Sequence, residues 1–147
     1  RAPMFSPDGR WFAYVSDKSG QDEVYVRPYP TTGPQEYAIS VDGGMEPVWS
    51  RDGRELFYRH EDQVMVVSVE ANEVLRASAP ELLFTGNYDL DNSAGGIGGV
   101  PNYDVSLDGD RFVMVKSDRQ NEESGSGPQI TVVLNWFEEL EERIPIP

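Results

Sequence analysis

Phe5-Ser6-Pro7-Asp8-Gly9-Arg10, followed by Trp11-Phe12-Ala13-Tyr14-Val15-Ser16, is the stretch that decides the fold, because the chain writes it three times. The second copy is Trp49-Ser50-Arg51-Asp52-Gly53-Arg54, followed by Glu55-Leu56-Phe57-Tyr58-Arg59. The third is Val105-Ser106-Leu107-Asp108-Gly109-Asp110, followed by Arg111-Phe112-Val113-Met114-Val115-Lys116. Each copy reads as an aromatic residue or Val, then Ser, any residue, Asp, Gly and a hydrophobic run. Asp bonds the backbone ahead of it and Gly accepts positive φ, so each Asp-Gly pair predicts a tight turn between two strands. In the first copy Pro7 also presets φ.

The spacing sets the size of the unit. Asp52 follows Asp8 by 44 residues, which suits the roughly 40–45 residues of a four-stranded propeller blade. Asp108 follows Asp52 by 56, and the excess lies near the Gly-rich stretch 92–100. The run after each turn is apolar at consecutive positions. A sheet covered on both faces by neighbouring blades requires that pattern, whereas a sheet with one wet face alternates. A third strand follows in each unit, at 23–27, 64–69 and 130–134, and outer strands are expected at 36–40 and 81–84. No fourth strand is legible in the third unit. Instead Asn135-Trp136-Phe137-Glu138 reads as a helix N-cap with an acid three residues on, and Pro145 as a stop. The expected fold is therefore all-β: three four-stranded propeller blades, half of a six-bladed ring, with a short C-terminal helix. Blade 1 is placed at about 1–41, blade 2 at about 42–86, blade 3 at about 100–135 and the helix at 136–143, all within one segment of 147 residues.

Composition bounds the partners. A net charge of −14 repels phosphate backbones and anionic membrane surfaces, so neither nucleic acid nor membrane insertion is expected. The acidity serves solubility, or else a site for cations or basic peptides. With no cysteine, disulfides, thiolate metal sites and cysteine nucleophiles are excluded. No apolar run approaches the roughly 20 residues of a membrane span. The chain begins at Arg1 with no visible signal peptide, which leaves room for a leader or an upstream domain.

The repeats resemble the TolB-type propeller repeat, a WD-repeat-like unit, and similar blades form the propeller of prolyl-oligopeptidase-type enzymes. The ending Asn135-Trp136-Phe137-Glu138-Glu139-Leu140 is similar to the end of propellers attached to bacterial serine/threonine kinases and transcriptional regulators. The resemblance implies a sensory or interaction module and favours a periplasmic or extracytoplasmic place. Only three blades are present here, and no kinase or DNA-binding segment, so that role is carried by analogy alone.

His60 is the only histidine and falls in the charged turn Tyr58-Arg59-His60-Glu61-Asp62, so it reads as a loop residue and not as the base of a triad. No Gly-x-Ser-x-Gly elbow exists, and Gly125-Ser126-Gly127 lacks its flanks. Asp89-Leu90-Asp91-Asn92-Ser93 opens like a calcium loop, but Ala94 and Val100 stand where Gly and Glu are needed. Gly95-Gly96-Ile97-Gly98-Gly99 is followed by Pro101 and a strand, which denies it the helix of a dinucleotide site. Asp8, Asp52 and Asp108 are expected to serve turns.

No catalytic residue, metal site or cofactor is expected. Ligand contact is placed at the mouth of the central channel, where the strands preceding the turns begin: Glu46, Asn102, Tyr103 and Asp104. The functional expectation is a non-enzymatic binding or scaffold module for a protein, peptide or small ligand. The alternative is the propeller portion of a larger peptidase or sensor kinase. Three blades leave two apolar end faces, so the chain is expected to form a homodimer that closes a six-bladed ring, with Phe112 taken as a residue of the join.

Overall fold

The structure, a computed structural model, describes residues 3–30, 33–89, 101–116 and 129–133, the last for the backbone alone. The expected helix at 136–143, the Gly-rich stretch and most of the calcium-like segment lie outside these residues. Every described element is a strand. The first sheet runs in the order β1 (Met4–Phe5), β2 (Trp11–Ser16), β3 (Glu23–Pro28), β4 (Tyr37–Ala38). The second is β5 (Met45–Trp49), β6 (Glu55–His60), β7 (Gln63–Ala71) and β8 (Leu75–Ala77), with β9 (Glu81–Thr85) also on β7. The third is β10 (Tyr103–Val105), β11 (Phe112–Lys116), β12 (Gln129–Val133). All pairings are antiparallel between neighbours, so each sheet is a meander of short hairpins.

One turn builds all three. Gly9 N donates to the Ser6 carbonyl at 2.9 Å, and Gly53 and Gly109 repeat the bond to Ser50 and Ser106 at 3.0 Å each. The Ser hydroxyl donates to the Asp carboxylate two residues on, at 2.6 Å in Ser6–Asp8 and 2.8 Å in Ser50–Asp52, with Ser106–Asp108 bonded in the same way. The same hydroxyl oxygen accepts the backbone N–H that opens the next strand: Trp11 at 3.0 Å, Glu55 at 2.9 Å, Arg111 at 3.0 Å. The Asp carboxylate accepts the N–H two residues after it, from Arg10, Arg54 and Asp110. The glycines sit at φ 69°, 71° and 81°, where a β-carbon is strained.

The sheets stack face to face. Trp11, Ala13 and Val15 of the first sheet share a core with Leu56, Tyr58 and Val67 of the second. Val48, Phe57 and Val64, from the second sheet's other face, share a core with Tyr103, Phe112 and Met114 of the third. In β6 the four residues from Leu56 to Arg59 are all buried, as a doubly covered strand requires. The outer two sheets depart from the expected both-face burial: β2 alternates buried and half-buried positions, and in β11 Val113 is 41% exposed. Phe112 is accordingly not at an open end. It is 1% exposed and meets Phe57 and Phe84 edge-on, each with ring centroids 5.2 Å away.

The outer edge of the second sheet carries the strand expected near 81–84, as β9, and one more besides. The long β7 carries two short partners, β8 on residues 69–71 and β9 on residues 63–66. Ser68 and Ser78 bridge the gap, Ser68 N to Ser78 Oγ at 3.1 Å and Ser78 N to the Ser68 carbonyl at 2.9 Å.

Two predictions concern the turn. Ser50→Ala leaves the Glu55 N–H without its acceptor and should lower unfolding free energy by about 1–3 kcal/mol. Gly53→Val forces a β-branched residue into positive φ and should cost a further ~1–3 kcal/mol. Denaturant melts of both variants check this, and an unchanged midpoint would contradict the turn. The second prediction is acid sensitivity. The Ser6 hydroxyl lowers the Asp8 pKa, the Arg54 N–H and the Ser50 hydroxyl lower that of Asp52, and the Ser106 hydroxyl lowers that of Asp108. A depressed folded pKa gives stability that is complete above the ordinary value of 3.8 and lost as pH falls through the lower folded values. Melting midpoints should therefore drop below about pH 4, and less steeply in Asp52→Ala.

Candidate functional site

The four expected residues belong to the strands that open the second and third sheets, and the structure sorts them into two groups. Glu46 lies in β5 at φ 54°, within an irregularity of register between Met45 and Val48, and is 1% exposed. Tyr103 opens β10, is 6% exposed, and its hydroxyl donates to the Glu46 carbonyl at 2.9 Å. These two are brought together at the seam between the second and third sheets. Asp104 points the other way, as alternation along a strand demands: Tyr103 and Val105 are buried while Asp104 is exposed. Its carboxylate accepts the Val105 N–H at 2.8 Å. Asn102 is half-buried, and its carbonyl accepts the Val115 N–H at 3.1 Å.

The seam also holds a charged residue, Arg59, which in the sequence ends an apolar run and begins a charged turn. Arg59 is fully buried in β6. Its Nη2 donates to the carbonyls of Glu61 at 3.1 Å and Tyr88 at 3.4 Å, while its Nε and Nη1 have no hydrogen-bond partner among the described residues. The signal was present in the repeat. Seven residues after the turn Asp, the other copies carry Val15 and Val115. A cation in a position otherwise held by valine marks a site where burial has been overridden. The Tyr103 hydroxyl is held well above its usual range by burial, with the nearby Glu46 carboxylate adding to the effect and Arg59 opposing it.

A second polar knot sets the position of β5. Glu23 is buried at the start of β3 and binds the Ser40 hydroxyl, the Gly43 N–H at 2.9 Å and Gln21 Nε2 at 2.7 Å. Gly44 packs so closely that a β-carbon there would lie 2.6 Å from the Ser40 side chain. Burial pushes the Tyr58 hydroxyl up to about 12, with Glu23 contributing. His60 ends β6, half-buried and paired with Gln63. Among the described residues, no group of three or more His, Asp and Glu side chains is arranged to hold a metal.

An open groove of about 990 Å³ lies at the opposite ends of the sheets, between the first two turns. Asp8, Asp52, Glu55 and Glu70 line it with Arg54. The first two carboxylates are already engaged by their turns. Glu55 has its pKa raised, chiefly by burial and then by Asp52 and Asp110.

No family model matches the sequence, and no curated protein matches it. Among solved structures the chain is similar to a candidate 6-phosphogluconolactonase from Bacteroides uniformis, with a TM-score of 0.50 and 17% identity, over 92% of this chain and 41% of that one. It is also similar to TolB from Acinetobacter baumannii, with a TM-score of 0.41 and 14% identity, again over 92% of this chain and 41% of that one. The chain thus spans about two fifths of the length of these two structures. The likeness is a weak, propeller-type one and concerns the fold alone.

The two buried tyrosines, Tyr58 and Tyr103, make an alkaline prediction. A raised folded pKa gives stability that is complete below the ordinary tyrosine value of 10.0 and lost as pH rises through the folded value. Absorbance titration should show tyrosines ionising late, one near 12, and Tyr58→Phe should remove that component. Tyr103→Phe, which frees the Glu46 carbonyl, should cost about 1 kcal/mol in a denaturant melt.

Proposed function

We propose that this chain is a non-enzymatic binding and scaffold module, a propeller segment for protein–protein or small-ligand interaction that associates through its open sheet faces. What supports this reading most is how its reactive groups are used. The repeated Ser–Asp pairs resemble parts of a hydrolytic relay in composition only. Each Ser hydroxyl donates to its Asp and accepts a strand N–H, so both its proton and its lone pair are engaged in the turn. A nucleophile requires a lone pair free to attack and a base strong enough to take its proton, and these carboxylates, held below their ordinary pKa, are weaker bases than a free one.

The seam suits binding better than chemistry. Its tyrosine is fixed as a hydrogen-bond donor to a carbonyl and stays protonated far above neutral pH. Glu46 and Tyr103 are buried in it, and the half-buried Asn102 beside Tyr103 is the position where a ligand or peptide would meet the surface, while Asp104 offers a contact on the other face of the same sheet. A second reading is favoured by coverage: this chain spans 41% of the lactonase-like structure. On that reading it is the propeller portion of a larger enzyme, a prolyl-oligopeptidase-type peptidase or a sensor kinase, whose catalytic groups lie elsewhere.

The expected result is no turnover above background on a panel of peptide and ester substrates, with His60→Ala indistinguishable from the parent. Saturable turnover that disappears in His60→Ala would overturn the non-enzymatic reading.

A further inference from the structure

We infer that the open faces of the first and third sheets are the two halves of one joint, and that each is filled by the other face of a second copy of this chain. The inference rests on the interaction-module reading and names its partner.

The stacking of the sheets has a direction. Counting from the turn Asp, the fourth and sixth residues are Phe12 and Tyr14, Leu56 and Tyr58, Phe112 and Met114. Leu56 and Tyr58 pack on the first sheet, and Phe112 and Met114 pack on the second. These positions form a backward face. The fifth residues, Ala13 and Phe57, pack on the sheet that follows. They belong to a forward face, which in the third sheet carries Val113. Within the chain a forward face meets a backward face twice. Among the described residues, what remains is one backward face, on the first sheet, and one forward face, on the third.

The open backward face is a continuous aromatic layer. Phe5 and Phe12 have ring centroids 6.1 Å apart, Phe5 and Tyr29 5.1 Å, Phe12 and Tyr14 5.5 Å. Phe5 and Tyr29 are 51% and 54% exposed. Contiguous apolar exposure of this kind marks an interaction surface. Across the third sheet Val113 is 41% exposed, and β12 pairs Val132 with it.

Charge selects the occupant. Arg27 stands opposite Phe12 in the first sheet, and the equivalent residue opposite Leu56 is Val67, inside a core. Asp104 stands opposite Val113 in the third sheet, and the equivalent residue opposite Phe57 is Val48, inside the other core. Both internal joints are apolar at these positions. The open backward face carries a cation there and the open forward face an anion. Arg27 donates to the Gly33 carbonyl at 3.2 Å and lies against the Tyr14 hydroxyl, while its buried Nε has no hydrogen-bond partner among the described residues. The carboxylate already on this face, Glu36, is bonded to the Tyr14 hydroxyl and to Lys18, so a guanidinium left so calls for a further carboxylate when its face is covered. The third sheet of another copy supplies one. Two copies related by a twofold axis make the joint twice and give six sheets, within the roughly 4–8 that close a propeller.

The test is the mass of the full chain in solution by sedimentation velocity, with circular dichroism to confirm folding. The parent should run as two chains at micromolar concentration. Arg27→Glu and Asp104→Arg should each weaken association at least about tenfold, because like charges then meet at both joints. Mixing those two variants should restore the dimer, since a mixed pair has opposite charges at both joints. A monomeric parent, a dimer that neither variant weakens, or two folded monomers that fail to combine would each overturn the inference. A parent monomer would give the aromatic face to another occupant, such as a further sheet. If either single variant failed to fold, the double variant Arg27→Glu with Asp104→Arg decides instead: a dimer supports the joint and a folded monomer overturns it. Turnover on the substrate panel would remove the non-enzymatic reading and leave the joint standing, so the two failures can be told apart.

Discussion

The rest of the structure hangs on the bonding of a single serine hydroxyl in each turn. In Ser50 it donates to Asp52 while accepting the N–H of Glu55, and the Asp carboxylate takes the N–H of Arg54. The turn closes without spare polar groups, and the two strands leave it in a fixed register. Trp49 is then opposite Leu56 and Val48 opposite Phe57. Because side chains alternate along a strand, that register decides which residues face each neighbouring sheet, and a slip by one would turn the whole apolar set over. The same knot in the first and third sheets makes the three faces compatible.

Compatible faces stack, and stacking produces the site. The second sheet is enclosed between two others, so its central strand can be buried over consecutive residues, and one of those is a cation. Arg59 sits where the repeat elsewhere has valine. Keeping a guanidinium in such a place costs several kcal/mol of desolvation unless hydrogen bonds offset it. The carbonyls of Glu61 and Tyr88 supply part of that offset. The seam is therefore a place where the pattern of the repeat is broken toward polarity inside a core. The first and third sheets, by contrast, each bury a single face, and their other faces carry aromatic rings, a valine and opposite charges.

Much of this was legible in the order of residues. Asp-Gly after Ser announces its turn through local hydrogen bonds and positive φ, both of which act within a few residues. The apolar runs after each turn announce strands for the same reason. Those short-range rules delivered the three repeats, the all-β class and the structural role of Asp8, Asp52 and Asp108. They also drew attention to Glu46 and Tyr103, because both open strands that precede a turn. The edge strand at 81–85 stood out as an apolar run, but the short β8 beside it did not, since an edge is defined by what a long neighbour leaves unpaired.

Which face of a strand is covered was decided only in three dimensions. Phe112 and Val113 are adjacent and equally apolar, yet one lies in a core and the other at the surface. Sequence periodicity states that they face opposite ways, and only the placement of the second sheet says which way is inward. Asp104 and Tyr103 divide by the same alternation, so a pair named together as one site became two positions on two faces. Arg59 read as part of a charged turn because its neighbours in sequence are polar. Its environment is set by Tyr88 and Tyr103, distant in the chain, and burial by distant residues cannot be seen in a local pattern. Local hydrogen bonding thus settled the turns and strands from the sequence alone, while the sign of each face and the chemistry of the seam came from long-range packing.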